Sequence, residues 1–60
     1  MNLKEEINLL LKPLIGEENI KMWWESKNRA FDGMTPDEKF AIDPDAVFKY
    51  IKQQYNGSYL

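Results

Sequence analysis

Ile20-Lys21-Met22-Trp23-Trp24-Glu25-Ser26-Lys27-Asn28-Arg29-Ala30-Phe31-Asp32-Gly33-Met34-Thr35-Pro36 decides how this chain folds. At its left end Ile20, Trp23 and Trp24 recur at i, i+3 and i+4, the spacing of one face of a helix. At its right end Thr35-Pro36-Asp37-Glu38 is a helix start. The Thr hydroxyl can accept from an orphan backbone N–H, Pro suits the first helical position, and Glu three residues on can reach back to the cap. Between the two, Asp32-Gly33 predicts a tight reversal, because glycine reaches positive φ without steric cost. The stretch therefore reads as helix, ordered corner, helix.

Working outward toward the N-terminus, Leu3, Ile7, Leu10, Leu11 and Leu14 recur at three- and four-residue steps and predict a first helix over about residues 2–12. Asn2 suits its cap and Glu5-Glu6 its positive dipole end. Pro13, which lacks an N–H, is expected to end or kink it near Leu11, with Gly16 as the turn residue. Glu17 then opens a second helix running to about Lys27. Beyond the corner, a short third helix is expected over about 36–42, with Phe40 and Ala41 as its core residues. Asp43-Pro44-Asp45 repeats the start signal. A fourth helix follows over about 44–55, with Val47, Phe48, Ile51 and Tyr55 on one face. Asn56-Gly57 stops it, and residues 57–60 are expected to form a flexible tail. With no alternating run to suggest a strand, the expectation is one all-α domain of 60 residues. It is a small bundle of three to four short helices around an ordered, Trp/Phe-packed central loop.

Composition narrows the function. A domain of this size buries only about 60% of the surface its unfolded chain exposes, so each large apolar residue counts. Two Trp, three Phe and three Tyr compensate for having no Cys. With no His either, a disulfide framework, a zinc finger and a histidine base are excluded. A net charge of -2 and a pI near 4.9, with both signs scattered, argue against direct DNA binding. The longest apolar run, Leu9-Leu10-Leu11, is far short of the roughly 20 residues a membrane span needs. Glu5 and Glu6 stand where a signal peptide would be basic. These features lead us to expect a soluble, cytoplasmic protein. No catalytic residue, cofactor site or metal site is assigned.

Each candidate site has a plainer reading beside it. Asp32, Asp37, Glu38, Asp43 and Asp45 could gather a metal or act as acid and base, but each already suits a cap or a first turn, and no loop has EF-hand spacing. Trp23 and Trp24, near Lys27 and Arg29, read as one ring in the core and one over a helix junction, or as one exposed contact ring. Leu3, Ile7, Leu10 and Leu11 form either an ordinary core face or a homodimer seam. Tyrosines near the C-terminus suit a docking surface.

Ile15-Gly16-Glu17-Glu18, then Trp23-Trp24, then Asn28-Arg29-Ala30-Phe31-Asp32-Gly33-Met34-Thr35-Pro36, then Phe40, Val47 and Ile51 fall in a recognisable order. Over residues 14–55 this order resembles the toxin-binding domain of the MbcA/ParS/Xre antitoxin family, with Phe31 where leucine is usual. The resemblance covers about 40 of the 60 residues. It implies a non-enzymatic protein-binding module that neutralises an ADP-ribosyltransferase-related toxin by steric occlusion and binds no NAD itself. Trp23 and Phe31 would clamp the loop between helices. About 13 residues precede the match, where such antitoxins carry a helix-turn-helix region, so that DNA-binding role is not expected here. The contact residues expected on this reading are Arg29, Tyr50, Gln54, Tyr55, Tyr59 and Leu60. The alternative is a small self-associating regulatory or phage-type protein, at most an accessory to nucleic-acid binding.

Overall fold

The first helix, α1 (Leu3–Ile15), starts where Asn2 caps it, its side-chain oxygen accepting from the Glu5 amide at 2.8 Å. In the computed structural model, which describes residues 2–56, α1 does not end before Pro13 but runs through it. A proline inside a helix forfeits one backbone hydrogen bond, at about 3 kcal/mol in a helix interior. Here the last turn is held from beyond. The Gly16 amide donates to the Lys12 carbonyl at 2.9 Å, and the Asn19 side-chain amide donates to the Ile15 carbonyl at 2.7 Å. Ile15 also packs against the core, so apolar burial keeps the final turn helical.

Gly16, at φ 88° and ψ 144°, turns the chain in a region that disfavours a side chain. The segment expected as one helix over 17–27 is shorter and split. A 3₁₀ turn over Glu17–Asn19 leads into α2 (Ile20–Glu25). Asn19 is drawn back onto the end of α1, which tightens the entry. At the exit the Ser26 hydroxyl donates to the Met22 carbonyl at 2.7 Å while Ser26 itself is extended. A side chain that satisfies the backbone locally in this way competes with helix continuation.

The corner is ordered around Asn28. Its carbonyl accepts from the amides of Phe31 (3.0 Å) and Gly33 (3.2 Å), its amide donates to the Met34 carbonyl (3.0 Å), and its side chain accepts from the Ala30 amide (2.9 Å). Arg29–Phe31 forms a 3₁₀ turn, followed by Asp32 at φ 58° and Gly33 at φ 84°. Two successive positive φ values are the signature of a type I′ turn, and the Met34 amide closes it on the Phe31 carbonyl at 3.0 Å. A Cβ on Gly33 would meet nothing within 4 Å, so only the backbone demands glycine there.

Next, α3 (Pro36–Ile42) carries the full capping box. Thr35 Oγ1 accepts from the Glu38 amide at 3.1 Å and Glu38 Oε1 from the Thr35 amide at 2.9 Å. Only Asp43 separates it from α4 (Pro44–Asn56). The four helices form an all-α bundle with Cα extents of 26 × 24 × 21 Å, and among the described residues there is no strand.

Among the described residues seven apolar side chains are buried: Ile7, Leu11, Trp24, Phe31, Pro36, Val47 and Ile51. Three expected placements change, and one left open is settled. Leu14 and Ala41 are exposed, because the core axis of α1 runs through Ile7 and Leu11 and that of α3 through Pro36 and Phe40. Trp24, not Trp23, is the buried tryptophan (4% exposed), and Trp23 is half-buried with its ring edge-on to Phe31 at 6.4 Å. The homodimer seam cannot be Leu3, Ile7, Leu10 and Leu11 together. Ile7 (0%) and Leu11 (1%) are consumed by the chain's own core, leaving only the half-buried Leu3 and Leu10.

Candidate partner-binding surfaces

Helical geometry gives α4 one buried edge and two flanks. Val47 and Ile51 face the core, and at 100° per residue Tyr50 and Gln54 fall to one side, Phe48, Lys52 and Tyr55 to the other. On the first flank Tyr50 and Gln54 share a groove of about 260 Å³ with Leu14, Ile15 and Trp23, floored by Leu11 and Ile51. Tyr50 is fixed there by Phe31, ring centres 5.2 Å apart at 69°. The Gln54 side-chain amide donates to the Tyr50 carbonyl at 3.1 Å. A second groove of about 300 Å³, lined by Ile15, Asn19, Met22, Trp23 and Ser26, joins the first across Trp23. Leu14 and Met22, 41% and 63% exposed, complete an apolar tract on this side.

The expected contact residues therefore do not form one patch. Tyr50 and Gln54 come together. Tyr55 lies on the opposite flank, where its hydroxyl donates to the Leu10 carbonyl and ties α4 to α1. Arg29 is exposed on the 3₁₀ turn whose Phe31 packs on Tyr50. Tyr59 and Leu60 lie outside the described residues. Sequence reasoning missed Leu14 and Met22 as surface residues. For Met22 a signal was present, since it falls off the Ile20/Trp23/Trp24 face. For Leu14 there was none, because it continues the apolar repeat of α1.

A wider concavity, about 730 Å³, lies between α1 and residues 17–25 and reaches to Asp37. The buried Trp24 forms its floor, with its indole N–H donating to Asn8 Oδ1 at 2.7 Å. Lys4 reaches over the Trp24 ring, its Nζ 4.6 Å from the ring centre, and pairs with Asp37 at 2.8 Å. Three lysines (4, 12 and 21) alternate with Glu5, Glu17, Glu25 and Asp37 along the walls, so the cleft presents no field of one sign. The acids considered as a metal or acid-base site are dispersed: Asp37 on Lys4, Glu38 in the capping box, Asp32 at the αL turn position. Among the described residues no three acidic, His or Cys side chains group as a metal site, and no helix is long and apolar enough to cross a membrane.

The class this geometry defines is a small helical domain whose concave features are open surface grooves. The chain matches no family model, and comparison with curated proteins and with solved structures finds no similar one.

Proposed function

We propose that the chain is a non-enzymatic, cytoplasmic protein-binding module that neutralises its partner by covering it. An ADP-ribosyltransferase-related toxin is the partner suggested by the antitoxin-like order of residues 14–55. The observation that carries the binding reading is the apolar tract of Leu14, Met22 and Trp23 beside Tyr50 and Gln54, because a chain of 60 residues leaves Leu14 and Met22 exposed and Trp23 only half-buried while others crowd its core. Aromatic residues and methionine with a polar rim are what interface centres favour. Arg29 sits beside this tract through Phe31. Tyr59 and Leu60 belong to the same proposal through the chain's C-terminal end, and Tyr55, on the opposite flank, would be a contact outside this tract.

The test is growth rescue on co-expression with a toxin of that class encoded beside this chain's gene. The parent chain is expected to protect, and Leu14→Glu with Met22→Glu to abolish protection while leaving the thermal melt unchanged. A chain ending at Asn56 reports separately on Tyr59 and Leu60. Full protection by the double glutamate variant would remove this tract from the interface.

A further inference from the structure

The opposite flank of α4 carries a different surface. Between α1 and α4 runs an apolar groove of about 420 Å³ lined by Glu6, Leu9, Leu10, Phe48 and Lys52. Leu9, 61% exposed, forms its lip on α1, and the Lys52 ammonium lies 5.0 Å from the Phe48 ring centre on α4. We propose that this groove is a two-fold self-association face, occupied by the same groove of a second copy.

Charge placement favours a copy over an unrelated partner. The groove has one acid, on the α1 wall, and one base, on the α4 wall. Among the described residues neither takes part in an ion pair. In an isologous contact a residue i of one copy meets j of the other and j meets i. Laying α1 across the partner's α4 therefore brings each Glu6 to the other copy's Lys52 and buries both Leu9 side chains against Phe48. The pattern is self-complementary without any further group. Association is also one of the ways a small chain without cysteine gains stability. The surface is separate from Leu14, Trp23 and Tyr50, so it stands or falls independently of the proposed toxin-binding tract.

Sedimentation equilibrium of the full chain, from about 1 µM to 1 mM, reads this directly. The expected result is a shift from 7.1 kDa to twice that mass as concentration rises. Leu9→Glu and, separately, Glu6→Lys should each weaken association about tenfold or more, and Glu6→Lys with Lys52→Glu should restore it to within about threefold of the parent. Because Glu6, Leu9 and Lys52 are exposed, circular dichroism melts at about 1 µM, where the parent is monomeric, should stay within a few degrees of the parent in every variant. A chain that stays at 7.1 kDa throughout overturns the proposal. So does a dimer indifferent to Leu9→Glu, or a double charge swap as weak as the single one.

Discussion

Along α1 and α4 the core is aliphatic, Ile7 and Leu11 clustering with Val47 and Ile51. The side built from α2, the corner and α3 is aromatic. There Trp23–Trp24, Trp23–Phe31, Trp24–Phe40 and, reaching across to α4, Phe31–Tyr50 pack edge to face with ring centres 5.2 to 6.4 Å apart. The division follows helix length. With 13 residues each, α1 and α4 have enough turns for a repeating stripe of branched side chains to define a face. With six and seven residues, α2 and α3 are far below the length at which a helix holds itself in water. Their positions must come from a few large anchors with preferred geometry and from caps. Edge-to-face pairs contribute about 0.5–1.5 kcal/mol each beyond area burial, and they fix orientation as aliphatic contacts do not.

The hardest blow to the aromatic side is Trp24→Ala. It removes two ring pairs, the indole hydrogen bond to Asn8 and the platform under Lys4. The expected cost is roughly 3–5 kcal/mol, against a total stability of roughly 3–9 kcal/mol for a chain of this length. Far-UV circular dichroism should show no cooperative melt. A variant that melts within a few degrees of the parent would mean that the aliphatic pair alone organises the fold.

Asn8 is where the two sides are joined, since it projects from α1 and accepts from Trp24 Nε1 at 2.7 Å. Asn8→Ala leaves a part-buried N–H without its acceptor and should cost about 1–3 kcal/mol in urea unfolding. In a Trp24→Phe background, which has no N–H to lose, the same substitution should cost close to nothing. Equal costs in both backgrounds would assign the effect to α1 itself. Smaller again is Thr35→Ala, about 1 kcal/mol, because it opens the capping box of a helix only two turns long. Thr35→Gly should cost less than the alanine variant at the cap, which separates capping from side-chain packing.

How much of this was legible in the sequence follows the same division. The caps at Asn2 and Thr35, the reversal at Asp32-Gly33 and the pair Val47/Ile51 are local or periodic signals, and each was readable from residue type and spacing. The helix end expected at Pro13 was misplaced because the forces that keep the turn beyond it helical come from Gly16, Asn19 and the core contact of Ile15. Which tryptophan is buried is a tertiary question: adjacent residues point about 100° apart, and the packing of α2 against α1 and α3 chooses between them. The contact surface was the least legible. Tyr50 and Tyr55 were grouped as contacts although helical spacing sets them about 140° apart, and they face opposite flanks of α4, one onto Phe31 and one onto the Leu10 carbonyl.

The smallest effect tests whether charge adds anything to the joint between the two sides. Lys4 on α1 reaches Asp37 on α3 at 2.8 Å and passes 4.6 Å from the Trp24 ring centre, so it touches both kinds of packing at once. The pair is 44% and 46% exposed, and exposed pairs are typically worth about 0.2–1 kcal/mol. A double-mutant cycle with Lys4→Met and Asp37→Asn should give a coupling at the low end of that range, screened away as salt rises from about 0.1 M to 1 M. Lys4→Met alone should cost more than Asp37→Asn alone, because only Lys4 also gives up its attraction to the tryptophan ring, about 0.5–1 kcal/mol at an exposed site. Moving to Trp24→Phe should narrow that gap, since indole is the stronger cation acceptor. If the two single variants cost the same in both backgrounds, the ammonium does nothing at the ring, and the sides are joined through Asn8 and apolar packing alone.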